Sequence, residues 1–309
     1  MSWLIDGKTN GPDLSWPDGK RIAVMVTFDY DAEFLRISRA ESKGTSIGFT
    51  DYSRGQYGPH EGLARCLAML DAVGIKSTFF VPGIVAETYR GYSRCALPAR
   101  GHELACHGYM HDRRRGFPRR GSFHPGEKRI HPERRLRPKT CGPQRAGKHH
   151  PSFYAGASGG TRISLQLFYE GLRLGISLGK RRKSPPLVEL PCDITMDDFT
   201  YYYFTFSDPA VRSMYTNREV YGNWKQEFDG LALEGNKIFI LKLHPQMIGR
   251  ASRIGMVGEL IAYMQSQGAW IATCEDVARY VLAKTYPGWE NLPAFKNQLS
   301  RTQKGGASL

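Results

Sequence analysis

Between residues 21 and 106, three short runs rich in β-branched and aromatic residues alternate with helix-patterned stretches, and this rhythm narrows the choice of fold more than any other feature. Residues 21–28 read as a buried strand that stops at Asp29. Residues 60–73 place Leu63, Cys66, Leu67 and Leu70 at i, i+3, i+4 and i+7, the stripe of an amphipathic helix, and Gly74 ends it. A second strand over 76–81 is stopped by Pro82-Gly83, a helix opens over 84–89, and a third strand covers 101–106. The C-terminal part repeats the pattern: helix 219–233, strand 236–243 ending at His244-Pro245, helix 254–267, strand 270–273 and helix 275–284. Strands separated by helices predict a parallel α/β sheet.

The 309 residues, 41% hydrophobic and 12% aromatic, suffice for a sizeable core and exclude disordered, collagen-like and low-complexity architectures. No run approaches the roughly 18 apolar residues of a membrane helix. The first residues lack the apolar core of a signal peptide, so a cytoplasmic protein with no membrane partner is expected. Six cysteines, at 66, 95, 106, 141, 192 and 274, form no C-x-x-C pair and read as free buried thiols. One domain over 1–286 and a mobile tail over 287–309 are predicted.

The formal net charge of +14 is confined to one window. Residues 113–183 hold 19 Lys and Arg, three Glu and no Asp, which leaves the rest of the chain close to neutral. Pro118, Pro125, Pro132, Pro138 and Pro143 forbid a useful helix over 113–150; only 163–174 has helical apolar spacing. Three readings compete: a nucleic-acid arm built on Arg113-Arg114-Arg115 and Arg181-Arg182-Lys183, a solvated insertion, and a displaced reading frame. The nucleic-acid reading is the weakest, because only Phe117, Phe123, Phe153 and Tyr154 are interleaved with the charge.

Parallel sheets place chemistry at the carboxyl ends of their strands. There the chain carries Asp29-Tyr30-Asp31, then His107-Gly108-Tyr109-Met110-His111, then His244. His107 and His111, four apart, would share a metal if they lay on one helical turn; otherwise they are surface histidines. Asp29 and Asp31 read as aimed differently, so that one can bind metal while the other remains a base; a turn-capping Asp29 is the simpler alternative. Tyr201-Tyr202-Tyr203-Phe204 reads equally as groove wall or core, and Asp197-Asp198 equally as a turn or as groups that reach the site or tune His244. His60 and His102 read as structural.

Taken in order, Thr27-Phe28-Asp29-Tyr30-Asp31, residues 77–83 (Ser-Thr-Phe-Phe-Val-Pro-Gly), Gly101-His102-Glu103-Leu104, the 107–111 segment, Leu187-Val188-Glu189-Leu190-Pro191 with Asp197-Asp198, and Leu243-His244-Pro245 resemble the NodB-homology polysaccharide deacetylases, carbohydrate esterase family 4. The D-x-D form and the start at residues 16–21 resemble the intracellular branch, which includes peptidoglycan-deacetylase-like proteins and metal-independent allantoinases and is often oligomeric. The resemblance covers about 16–112 and 185–284. It implies a deformed (β/α) barrel of fewer than eight strands. It also implies Asp29 as general base, Asp31, His107 and His111 as ligands of one divalent metal (zinc, with cobalt or manganese as alternatives), and His244 as general acid. Tyr109 and Asp198 are the implied substrate contacts. The implied activity is metal-dependent hydrolysis of a non-peptide carbon–nitrogen bond in an N-acetylated saccharide. Metal-independent opening of a cyclic amide, or an inactive member, is the alternative.

The family's Arg- and Pro-containing motif, which builds a groove wall and orients the base, is not found between His111 and Leu187, although the spacing is kept. Kept length with lost content, in an Asp-free and Arg-, Pro- and Gly-rich stretch, favours two compensating frame shifts over the other readings of the window.

Overall fold

The computed structural model describes residues 15–110, 153–156, 162–168, 175–177, 187–205, 214–285 and 287–288. Its strands are β1 (Ile22–Asp29), β2 (Thr78–Val81), β3 (Glu103–Cys106), β4 (Phe153–Gly156), β5 (Arg162–Phe168), β6 (Gly175–Ser177), β7 (Leu187–Pro191), β8 (Lys237–Leu243) and β9 (Trp270–Ile271). They form one sheet in the order β6-β7-β5-β4-β3-β2-β1-β8, with β9 also beside β1. The pairs β1–β2, β2–β3, β1–β8 and β5–β7 are parallel. An isolated parallel bridge between Asp197 and Lys242 lays the segment that follows β7 against β8 and brings the two ends of this curved sheet together.

The helices are α1 (Phe34–Ser42), α2 (Phe49–Tyr57), α3 (Leu63–Val73), α4 (Gly83–Thr88), α5 (Leu97–Ala99), α6 (Asp198–Tyr202), α7 (Asn217–Glu234), α8 (Pro245–Ile248), α9 (Ala251–Ser266) and α10 (Cys274–Thr285). Local chemistry sets their ends. Gly74 closes α3 in the left-handed conformation, at φ 69°. Thr216 and Glu219 form a reciprocal capping box at the start of α7.

Every residue of β1 is buried, as a strand covered on both faces requires. Its alternation divides the core in two. Ile22, Val24, Val26 and Phe28 face outward with Phe79, Phe239 and Leu241, against Leu63, Leu67 and Leu70 of α3, Trp224 and Phe228 of α7, and Leu260 and Met264 of α9. Ala23 and Met25 face inward with Phe80, Ala105, Val188, Leu190 and Ile240, and the apolar side of α10 closes the floor of this interior. The same period of two carries Asp29 of β1, His107 beyond β3, and Lys242 and His244 along β8 to the inner face. The repeating strands therefore converge their polar ends on one place.

The interrupted stretch holds more strand than its sequence suggested. Residues 163–168, the first part of the stretch 163–174 with helical apolar spacing, lie in strand β5, and β4 and β6 also lie in the window. Pairing overrides the helical spacing there, since β5 lies between β4 and β7 in a register that satisfies its backbone on both sides. These strands, with the two-residue β9, bring the count among the described residues to nine, above the expectation of fewer than eight, and β3–β4, β4–β5 and β6–β7 run antiparallel. The arginine runs 113–115 and 181–183 and residues 289–309 lie outside the described residues. Among the described residues, Cys66, Cys192 and Cys274 are free thiols, and no helix is long and apolar enough to cross a membrane.

Candidate active site

Asp29 ends β1, and the loop that follows it is held to β2 where the Tyr30 N–H donates to the Phe80 carbonyl at 2.9 Å. His107 follows β3 and is tied to the same strand where its N–H donates to the Val81 carbonyl at 3.1 Å. His244 follows β8, and its turn is fixed by the amides of Met247 and Ile248, which donate to the His244 carbonyl at 2.8 and 2.9 Å. The glycine of α3's approach segment makes that turn fit: a Cβ on Gly62 would meet the Pro245 carbonyl oxygen at 2.1 Å, so only glycine allows this contact.

These loops gather four buried groups. His107 Nε2 lies 3.4 Å from Asp29 Oδ2 and 3.4 Å from Asp31 Oδ1. His244 Nε2 lies 3.7 Å from Asp29 Oδ2 and 3.7 Å from Asp31 Oδ2. Asp29 and Asp31 are thus aimed at the same spot, not at different ones. Residues two apart in extended chain share a face, and the expectation of divergent aims is corrected on that ground. The helical turn on which His107 and His111 would share a metal is absent through residue 110: Gly108 has φ 72°, and residues 107–108 are loop. His111 lies outside the described residues.

Each carboxylate and imidazole is set against opposite charge. Burial pushes the Asp29 carboxyl up, but Lys242, His107 and His244 outweigh it and hold Asp29 well below the usual carboxylate range. Burial pushes His244 down, but Asp198 and Asp197 outweigh it and raise the ring to about 9. Burial raises Asp198 to about 6 against the pull of the His244 charge. At neutral pH this describes an anionic Asp29 facing a cationic His244.

Asp198, expected among the substrate contacts, is fully buried, and both its oxygens serve His244. Oδ1 is 2.6 Å from His244 Nδ1, and Oδ2 accepts the His244 backbone N–H at 2.9 Å. This geometry matches one of the roles considered for Asp198, tuning His244. Tyr109, the other expected substrate contact, is half-buried: its hydroxyl donates to Glu87 Oε2 at 3.1 Å, and its ring lies where a Cβ on Gly83 would sit. Of the aromatic run, Tyr201, Tyr202 and Tyr203 are core residues; Phe199, two residues before it, puts its ring 5.4 Å from the His244 ring. His102 is buried and accepts the Ser77 N–H at 3.3 Å, a structural position.

Lys242 was not singled out by its sequence context. It is buried, with Nζ 3.1 Å from Asp29 Oδ2 and 3.0 Å from Asp197 Oδ2. The available signal was a lone cation inside the apolar run Ile238-Phe239-Ile240-Leu241-Lys242-Leu243, in register with His244 two residues on.

Asp29, Asp31 and His244 each offer one ligand atom within 4.8 Å of the others. His107 stands beside them. Asp29 Oδ1 is buried without a hydrogen-bond partner among the described residues. Carboxylates and imidazoles are the donors that zinc and related divalent ions take, so the residues present fit a metal of that class.

No protein-family model matches the chain. A peptidoglycan deacetylase-like protein of Gibberella zeae, FGM2, is 24% identical over 89% of this chain and 91% of its own length. Among solved structures, a protein of Mycobacterium smegmatis assigned as a polysaccharide deacetylase superposes with a TM-score of 0.64 at 24% identity, covering 91% of this chain and 96% of that one. The PuuE allantoinase superposes at 0.65 and 20% identity, covering 92% and 97%. A Pseudomonas aeruginosa PAO1 protein assigned as a polysaccharide deacetylase superposes at 0.66 and 20% identity, covering 92% and 98%. The chain therefore has the fold of the NodB-homology deacetylases and of allantoinase, as its motifs suggested.

Proposed function

We propose that this chain is a metal-dependent hydrolase of a non-peptide amide bond, acting on an N-acetylated sugar or polysaccharide. The observation that carries the reading is the facing pair Asp29 and His244, 3.7 Å apart at the ends of the neighbouring strands β1 and β8, where the surroundings favour an ionised carboxylate and a protonated imidazole. Amide hydrolysis needs both states at once, a base for the attacking water and an acid for the poor amine leaving group. Asp29 accepts the water proton. His244 delivers a proton to the departing nitrogen, with its ring held by Asp198. A positioned acid or base is worth about 10²–10⁴ in rate.

Asp31 and His107 would hold the metal, together with His111, which the family resemblance implies and which lies outside the described residues. When bound, it supplies polarisation of the amide carbonyl and a more acidic water. The kinship to a peptidoglycan deacetylase-like protein supports an acetylated saccharide as substrate. The fold it shares with PuuE allantoinase keeps a second reading in play, metal-free opening of a cyclic amide. Acetate release from N-acetylglucosamine oligomers, abolished by chelation and restored by zinc or cobalt, is the expected result. Turnover of allantoin that persists under chelation, with no acetate release, would replace the first reading with the second.

A further inference from the structure

Lys242 lies on the inner face of β8, a buried cation within the barrel. Removing an ammonium from water is unfavourable unless it is closely paired, and an apolar side chain would fill the space without that penalty. The pairing is specific. Its ammonium sits between Asp29 Oδ2 at 3.1 Å and Asp197 Oδ2 at 3.0 Å, and the backbones of Lys242 and Asp197 are themselves bridged. The Asp197 side chain is fixed in turn, because its Oδ1 accepts the Phe199 N–H at 2.9 Å at the start of α6. The chain Phe199–Asp197–Lys242–Asp29 thus runs from a helix N-terminus to the carboxylate that faces His107 and His244.

We propose that Lys242 is the positioning residue of the Asp29 base: it holds Oδ2, the oxygen that also faces His107 and His244, and so sets the carboxylate plane in which Oδ1 meets water. Oδ1 has no hydrogen-bond partner among the described residues. The carboxylate plane is fixed by the clamp, and the proton-accepting oxygen is presented without searching for it. A lysine suits this geometry because its compact ammonium can serve two oxygens that do not form one bidentate fork. The inference rests on the assignment of Asp29 as base in the preceding section.

The test compares Lys242→Met and Lys242→Arg with the wild-type chain. Acetate release from N-acetylglucosamine tetramer should fall about 10²-fold or more in kcat for Lys242→Met, within the range a positioned base supplies. KM and zinc affinity, the latter by calorimetric titration, should change less than threefold. Lys242→Arg should recover at least a tenth of the wild-type kcat. Equal losses in both variants, or loss of zinc binding in parallel with kcat, would make Lys242 merely structural. Crystal structures of the same variants read the clamp without any activity: the Asp29 carboxylate should turn in Lys242→Met and keep its plane in Lys242→Arg. An unchanged Asp29 in Lys242→Met would overturn the proposal. Should Lys242→Met fail to fold, Lys242→Gln, which keeps the length and loses the charge, takes its place with the same expectations. A wild-type chain that hydrolyses no acetylated oligomer would count against the assignment of Asp29 as base, while the Asp29 plane in these crystals still decides the clamp.

Discussion

Glu103 gives a stability prediction that can be worked through from the structure. It lies on the inner face of β3, buried, where its Oε2 accepts the Thr78 hydroxyl at 2.6 Å and the Glu275 N–H at 3.0 Å at the start of α10. Burial raises its carboxyl from an ordinary 4.5 to about 7; the Thr78 and Glu275 hydrogen bonds pull against it, and the charges of Glu275 and Asp276 add to it. The folded-state value lies above the unfolded one, so the favourable contribution is fully present below about pH 4.5 and is lost as pH rises through about 7. Each tenfold change in proton affinity is worth about 1.4 kcal/mol, so the whole span amounts to about 3 kcal/mol. Glu103→Gln removes the titration and keeps an acceptor for Thr78 and Glu275, at about 1 kcal/mol for an amide group facing the side where Oε1 has no described partner. Denaturant unfolding of both proteins at pH 5, 6, 7 and 8 gives the comparison. The two proteins should be close in stability at pH 5, and the wild type should fall behind the variant as pH rises to 8, a relative swing of about 2.5 kcal/mol. Parallel curves across this range would refute the claim that a buried carboxyl anchors the floor of the barrel to α10.

Gly62→Ala drives a methyl into the Pro245 carbonyl and should destabilise the fold by about 1–3 kcal/mol while lowering activity through the His244 turn; denaturation midpoints and kcat measure both, and a neutral variant would show that the turn yields freely. Phe79→Ala removes a ring stacked on Phe28 at 4.8 Å in the outer core and should cost about 3–5 kcal/mol by the same denaturation measurement, with no change in zinc stoichiometry. Sequencing of the gene through codons 105–190 should reveal two compensating frame shifts; an unbroken trace encoding these residues, with relatives that share them, would favour a solvated insertion.

Much of this architecture is legible in the residues themselves. The strands at 22–29, 78–81, 103–106 and 237–243 and the helices that separate them follow from runs whose apolar period matches their structure. The site was legible for a related reason: Asp29, His107 and His244 stand where strands end and share the inward phase of their strands. What sequence could not supply were relations between distant segments. Lys242 becomes informative only when β8 is laid beside β1 and Asp197 is brought against it. Asp198 shows its commitment to His244 only when α6 docks. The strand at 162–168 carried a helical spacing that pairing on both sides overrode. Asp29 and Asp31 converge on His107 because extended chain puts alternate residues on one face and the loop after β1 preserves that phase, a relation that their spacing alone leaves ambiguous.

The most direct test of the central claim is the metal content of the purified protein by elemental mass spectrometry, beside a His107→Ala/His111→Ala variant. The account predicts about one divalent ion per chain in the wild type, lost in the variant. No metal in either protein, even after incubation with zinc or cobalt, would contradict it.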